Sequence, residues 1–189
     1  MTGSERRSVI LAAARQEFAR SGYHGASTAR IAHAAGCSEP MLYKHFSGKQ
    51  SLFAATLEDV ASVVEDQFDR LFDMPGNLFE NLNERLPAIM GDAAYAQMMR
   101  LRKLAITSVL EPDIHAAMVA MEKRHLARVS RALEKAIADG TARPDADPEY
   151  VSWMWTGIVL AACQREALEP NGFVRMLPHA LTFIDGLRR

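Results

Sequence analysis

Helical periodicity along the whole chain is the feature that most limits the fold. Apolar and polar residues nowhere alternate with the sustained period of two that marks β-strands, and Ala, Leu and Met are frequent throughout. Capping residues, glycines and prolines divide the chain into about nine segments. The sequence therefore predicts an all-α protein, with helices near 5–21, 28–35, 39–46, 48–72, 78–90, 93–110, 112–139, 148–168 and 173–187. Pro87 and Pro178 are expected to end or kink two of these helices.

Two short helical segments between Ser27 and Lys49 carry the clearest functional signal. Gly36 separates them, and the small residues Ala32 and Ala35 lie where the two helices would cross. Short helices joined by a tight turn are typical of a helix-turn-helix, whose second helix projects into a DNA groove. We therefore predict a DNA-binding domain over residues 1–50 and a second helical domain over residues 51–189.

The charge distribution agrees with a polyanionic partner for the first of these domains. Residues 1–50 hold seven Lys and Arg against three Asp and Glu, whereas the remainder holds 15 basic and 20 acidic residues. Two distant cysteines without a C-x-x-C motif indicate a reducing compartment. We find no signal-peptide pattern and no run of 18 apolar residues, so we expect a cytoplasmic protein with no membrane partner.

The first turns of the second short helix are expected to read base edges in the major groove. Pro40 and Met41 suit contact with a thymine methyl group, and Lys44 suits guanine or a phosphate. Glu39 lies on the same turns. Polar groups around them are expected to bind the DNA backbone, with an ordinary helix aromatic as the alternative for Tyr43. These backbone-binding candidates are Thr28, Arg30, Tyr43, His45 and Lys49.

Motifs at fixed spacing between Val9 and Leu57 support this interpretation. They read F-A-x-x-G-Y from Phe18, I-A-x-x-A-G-x-S from Ile31 and L-Y-x-H-F-x-x-K-x-x-L from Leu42. In these motifs the chain resembles the tetracycline-repressor (TetR) family of bacterial transcriptional regulators, with Cys37, Pro40 and Met41 as departures. The resemblance implies a homodimer that binds a palindromic operator in double-stranded DNA, usually as a repressor released by a small molecule.

The resemblance also implies that the last two helices form the dimer interface and that the central helices enclose the effector. An apolar seam at helical spacing, open to the alternative of an intramolecular core face, consists of Phe173, Leu177, Ala180, Ile184 and Leu187, facing Trp155, Ile158, Val159, Ala162 and Cys163. A small apolar effector would suit adaptable methionines and aromatics, although plain core filling explains each of them as well. The pocket candidates are Phe72, Met98, Leu101, Arg102, Met118, Met121, His125 and Trp153.

Other chemistries find little support in the sequence. No G-x-S-x-G, P-loop, G-x-G-x-x-G or H-E-x-x-H motif occurs, so we expect no enzyme and no cofactor. No combination of His, Cys, Asp and Glu has the spacing of metal ligands, so we expect no metal. Two alternatives stay open: a helix-turn-helix module that binds proteins instead of DNA, and a constitutive DNA binder without an effector.

Overall fold

A computed structural model describes residues 2–169 and 172–189, apart from the side chains of 163, 166–168 and 172–174, and the regular elements of that part are all helices. An isolated bridge between Ala142 and Arg188 is the one β-type pairing within it. The predicted all-α class, with about nine helices, is confirmed. The helices are α1 (Gly3–Gly25), α2 (Thr28–Ala34), α3 (Glu39–Tyr43), α4 (Lys49–Phe72), α5 (Leu78–Met90), α6 (Ala93–Ile106), α7 (Pro112–Ala138), α8 (Pro148–Leu168) and α9 (Gly172–Asp185).

Side-chain caps define where most of these helices begin. The hydroxyls of Ser27 and Ser38 accept from backbone N–H groups in the first turns of α2 and α3, as the sequence predicts. The Asp147 carboxylate accepts from two N–H groups at the start of α8. Helix α1 begins earlier than predicted, because Thr2 and Glu5 form a reciprocal capping box.

The start of α4 differs from the sequence interpretation. The S-x-x-Q pattern from Ser47 to Gln50 predicts a capping box, but the Ser47 hydroxyl bonds the Ser51 hydroxyl instead. The Gln50 amide donates to the Glu111 carboxylate, which lies 61 residues away in sequence. Ser51 also accepts from the N–H of Gly48, so a serine within the first turn supplies the local cap.

Glycine and proline punctuate the helices less sharply than expected. Gly22 adopts φ 68° and ψ 175° and interrupts α1, but helical geometry resumes as far as Gly25. Pro87 and Pro178 lie inside α5 and α9, which continue to Met90 and Asp185 instead of ending there. Pro87 lies in the last turn of α5, so the one intrahelical hydrogen bond that its missing N–H removes affects only the end of the helix.

The chain divides into two compact units. The first contains residues up to Val64 together with Ala93–Met121, and the second contains Glu65–Asp92 together with Glu122–Arg189. Aromatic and aliphatic side chains fill the first core, which includes Phe18, Phe53 and Leu101. The domain division at residue 50 stays a prediction. None of the described helices combines the length and the low polarity that a membrane span requires.

Candidate nucleic-acid interface

Helix α3 presents one side to the protein and the other to solvent. Leu42 is fully buried and anchors the helix, whereas Pro40, Met41 and Lys44 are exposed. Tyr43 keeps 45% of its surface accessible. The exposed residues are the predicted base readers, and nothing in the first compact unit covers them. The geometry meets the first requirement for a helix that enters a groove.

Small residues behind α3 allow this exposure. Ala32 and Ala35 are buried on α2 beside the fully buried Ile31. The turn between α2 and α3 passes through Gly36 with φ 63°, a left-handed conformation that glycine adopts without strain. A close approach of α2 to its neighbours follows from these short side chains. The burial predicted for Ala32 and Ala35 is confirmed, whereas Cys37 is only partly buried.

A buried carboxylate ties α1 to the start of α2. Glu17 is only 5% exposed, and its oxygens accept from the Arg30 guanidinium at 2.5 and 2.9 Å, from Arg20 at 2.5 Å and from the Ser27 N–H at 3.2 Å. Burial alone raises the pKa of Glu17, but the hydrogen bonds from Arg30, Arg20, Ser27 and Ser21 together lower it from 4.5 to about 2. The carboxylate is therefore ionised at neutral pH.

This network changes the reading of Arg30, which was predicted as a phosphate ligand. Its guanidinium also donates to the backbone oxygen of Gly25 at 2.9 Å, so it fixes the loop between α1 and α2. Sequence reasoning missed Glu17 as its partner. The available signal was a charged residue within the apolar stripe of α1, next to Phe18. Phosphate contact by Arg30 stays a prediction.

A second polar contact joins α2 to α3. The Thr28 hydroxyl donates to the Glu39 carboxylate at 2.5 Å and lies 3.1 Å from the Tyr43 hydroxyl. Thr28, Glu39 and Tyr43, three of the predicted DNA-binding residues, therefore lie together on the side of the domain where α3 is exposed. Glu39 thus has a partner within the domain, and its carboxylate orients the Thr28 side chain.

Lys49 lies at the start of α4 and points back to α1. Its Nζ donates to the backbone oxygen of His24 at 2.9 Å and lies 5.1 Å from the centre of the Tyr23 ring. Burial, and after it the positive charge of Arg30, lowers the pKa of Lys49. Its contact with DNA stays a prediction, and in this structure its ammonium group helps to hold α4 against α1. His45, half-buried beside Phe46, completes the predicted set.

Two further arginines near α3 were not singled out by the sequence. Arg6 donates to the backbone oxygens of Ala35 and Gly36 at 3.3 and 3.4 Å, where it closes the end of α2. The guanidinium of Arg7 lies 5.0 Å from the centre of the Phe46 ring. Arg6 adds positive charge next to the turn between α2 and α3, and Arg7 adds it beside Phe46, which follows α3. Their spacing in α1 resembles that of any solvated helix face, so no local pattern identifies them.

The predicted effector residues fall into different units. Met98, Leu101, Arg102, Met118 and Met121 lie in the first unit, and Phe72, His125 and Trp153 lie in the second. A pocket that uses all of them stays a prediction. Trp153 is 57% exposed on α8.

An apolar cavity of about 50 Å³ lies inside the second unit. Phe72 is the one predicted effector residue that lines it, together with side chains from α5, α7, α8 and α9, among them Leu82, Val129, Trp155 and Ile184. A charged cleft of about 310 Å³ shares Phe72 with this cavity. Among the described residues, no group of three or more His, Cys, Asp or Glu could hold a metal ion.

Part of the predicted helix–helix seam is buried within the protomer. Trp155 on α8 and Ala180 and Ile184 on α9 are buried within the protomer, where α8 packs on α9. The alternative of a core face is therefore the correct one for these residues, while Cys163 and Phe173 lie outside the described side chains. Among the described side chains of α8, the large apolar ones that stay exposed are Tyr150, Trp153 and Met154.

Comparison with known sequences gives a match over the DNA-binding region. Residues 10–56 match the model described as "Bacterial regulatory proteins, tetR family". Over 54 residues the chain is 48% identical to the HTH-type transcriptional activator FasR of Mycolicibacterium smegmatis, covering 29% of this chain and 25% of that protein. Over 63 residues it is 43% identical to the HTH-type transcriptional repressor AcnR of Corynebacterium diphtheriae, covering 33% of each. The chain thus spans a third or less of these two relatives.

Solved structures resemble the whole chain in fold. A TetR-family transcriptional regulator from Agrobacterium tumefaciens is 17% identical with a TM-score of 0.78, and all of both chains is covered. Salmonella enterica GusR is 21% identical with a TM-score of 0.82, covering 99% of this chain and 97% of that one. A protein from Saccharomonospora viridis in complex with choline is 21% identical with a TM-score of 0.83, covering 98% and 99%.

Proposed function

We propose that this protein, whose residues 10–56 match the model of the tetR family of bacterial regulatory proteins, is a sequence-specific DNA-binding transcriptional regulator. It acts as a homodimer on a palindromic operator in double-stranded DNA and represses transcription until a small molecule releases it. The names of its relatives, which are regulators and not enzymes, agree with the expectation that it catalyses no reaction.

The exposure of α3 is the observation that carries the proposal. Leu42 and the small residues of α2 hold the helix from behind, and Pro40, Met41 and Lys44 face solvent. A protein-interaction module with the same motif would have no need for the surrounding cations. Positive charge around a protruding helix favours an anionic partner such as DNA.

The polar residues around α3 divide into two roles. Tyr43 and Lys44 are exposed and available for the DNA backbone or a base edge, and Thr28 stands beside Tyr43. Arg30 and Lys49 are bonded within the domain. We assign them mainly to holding α2 and α4 in place, with phosphate contact as a second role for their exposed edges.

The apolar face of α8 supports a homodimer. Tyr150, Trp153 and Met154 are spaced for one side of the helix and are exposed in the protomer. A second copy that covers this face would present two α3 helices to DNA, as a two-fold palindrome requires. This interface still uses the last two helices, but a different face from the seam that the sequence suggested.

Control by a small molecule is the last part of the proposal. A protein of the same fold was solved with choline, and this chain has an apolar cavity in its second unit. One named relative is a repressor and another an activator, so the direction of regulation is tested by a reporter gene carrying the operator. A bound effector would shift the population of DNA-competent dimers.

Selection of bound sequences from random double-stranded DNA tests the central part. We expect enrichment of a two-fold symmetric site with half-sites about 10 base pairs apart, centre to centre, or a multiple of one helical turn. If circular dichroism shows a folded protein and no sequence is enriched over unselected DNA, the protein-interaction alternative replaces the DNA-binding proposal. Enrichment of a single asymmetric site would contradict the dimer.

A further inference from the structure

Acidic residues of α4 pair with basic residues of α7 over successive helical turns. Glu65 accepts from Arg124 at 3.1 Å and from Arg128 at 3.0 Å. One turn further along α4, Asp69 accepts from the Nε of Arg128 at 2.7 Å. The side chains of Arg128 and Glu65 are only 14% and 16% exposed, so this part of the row is closed to solvent.

Beyond the ion pair of Asp69 with Arg128, further acidic and basic residues follow in the sequence, but they form no ion pairs in the described structure. Asp73 follows Asp69 by four residues, and Arg131 and Lys135 continue the basic face of α7. Helix α4 ends at Phe72, so Asp73 lies beyond it. Within the described chain none of these three charged side chains forms an ion pair, and all three line a cleft of about 310 Å³.

The cleft has unused capacity to bind an anion. Arg128, Arg131 and Lys135 line it against the carboxylates of Asp69 and Asp73, and Asp69 is already bonded to Arg128. One terminal nitrogen of Arg128 is buried and has no hydrogen-bond partner among the described atoms. A buried donor without a partner is unfavourable, and an anionic oxygen is the partner that a guanidinium binds best.

The cleft also adjoins the apolar cavity of the same unit. Phe72 and Ala132 line both of them, so the two spaces share a wall. The cavity of about 50 Å³ is lined by apolar side chains. Since one water-sized group needs about 10–15 Å³ by the same measure, it holds about four methylene-sized groups. A charged cleft and an apolar cavity that share a wall suit an amphipathic ligand.

We propose that the cleft and the cavity together bind a small carboxylate with a short unbranched apolar tail. The carboxylate lies between Arg131 and Lys135, within reach of Arg128, and the tail passes between Phe72 and Ala132 into the cavity. This inference rests on the proposed response to a small molecule and names the chemical class of the effector.

Calorimetric titration of the full-length protein without DNA tests the site. Sodium hexanoate is the probe, and acetate and hexyltrimethylammonium serve as matched ligands that lack the tail or carry the opposite charge. We expect hexanoate to bind about 200-fold more tightly than acetate, because four more methylene groups are buried, and hexyltrimethylammonium not to bind. Equal binding of the cation and the anion, or no hexanoate binding at millimolar concentration, would overturn the proposal.

Charge variants locate the carboxylate. Arg131→Gln should weaken hexanoate about fivefold, as for loss of one partly exposed ion pair, and Arg131→Lys should restore most of the affinity. Lys123→Gln, an exposed cation elsewhere on α7, is the matched control and should have no effect. Equal effects of Arg131→Gln and Lys123→Gln would refute this placement.

The outcome separates this inference from the proposed function. A protein that binds its selected DNA but not hexanoate would lose the carboxylate site alone. A protein that binds hexanoate but shows no preference for any DNA sequence would instead lose the proposed regulator function, and the site would stand.

Discussion

Replacement of Glu17 by glutamine tests whether a buried charge holds the DNA-binding domain together. The substitution keeps the shape of the side chain and removes its negative charge. In the native protein the carboxylate accepts from Arg20, Arg30 and the Ser27 N–H. The amide oxygen of glutamine still accepts hydrogen bonds, but without the charge that strengthens them. The variant therefore isolates the electrostatic part of the network.

The size of the effect follows from the pKa of Glu17. Glutamine resembles the protonated acid, so the lowering from 4.5 to about 2 corresponds to about 3 kcal/mol at neutral pH. The side chains of Arg20 and Arg30 are 69% and 53% exposed, and water screens their interaction with the carboxylate. We therefore expect Glu17→Gln to reduce the free energy of unfolding by about 1–2 kcal/mol.

Urea denaturation at pH 7, followed by circular dichroism, measures this difference. Glu134→Gln on α7 is the matched control, because Glu134 is exposed and takes part in no hydrogen bond or ion pair within the described chain. Its effect should stay below about 0.5 kcal/mol. The reasoning fails if the two variants unfold at the same urea concentration, or if Glu17→Gln is as stable as the native protein.

Four further results are expected. Acid should remove the contribution of Glu17 to stability. Its lowered pKa stabilises the fold above about pH 4.5, and this stabilisation is lost as the pH falls towards about 2. The denaturation curves of the native protein and Glu17→Gln should therefore converge there, and parallel curves would contradict this. Gly22→Ala should cost about 1–3 kcal/mol, because φ 68° with ψ 175° is almost closed to alanine, and an unchanged melting temperature would refute it. Leu42→Ala should cost about 2–5 kcal/mol, since the side chain is fully buried; a loss below 1 kcal/mol in urea titration would show that α3 is not anchored there. Trp153→Glu should convert a dimer into a folded monomer in light scattering, whereas a dimer of unchanged mass would exclude this face of α8.

Local signals in the sequence were enough to predict the helices and the exposed helix α3. Ser38 with Pro40 starts α3, and Asp147 starts α8, because each cap satisfies N–H groups within its own first turn. The motifs around Phe18 and Leu42 also identified the family resemblance, and the match over residues 10–56 confirms it. These features depend on residues a few positions apart, which a single sequence shows directly.

Contacts between distant residues could not be predicted in the same way. Arg30 meets Glu17 thirteen residues earlier, and Gln50 meets Glu111 sixty-one residues later, and no spacing rule connects either pair. The periodicity of α9 predicted its apolar side, but not whether the facing α8 would belong to the same chain. Ile184 packs inside the protomer. The sequence could not show this, because an intramolecular and an intermolecular helix seam have the same residue spacing.

The ratio of affinities for selected and scrambled DNA in Met41→Ala tests the central claim most directly. Met41 is exposed on α3 and is expected to contact a base, so the ratio should fall about fivefold or more. Val119→Ala, an exposed apolar residue on α7, should leave the ratio unchanged. If Met41→Ala keeps the native ratio, or weakens both DNAs equally, the exposed face of α3 does not read the sequence.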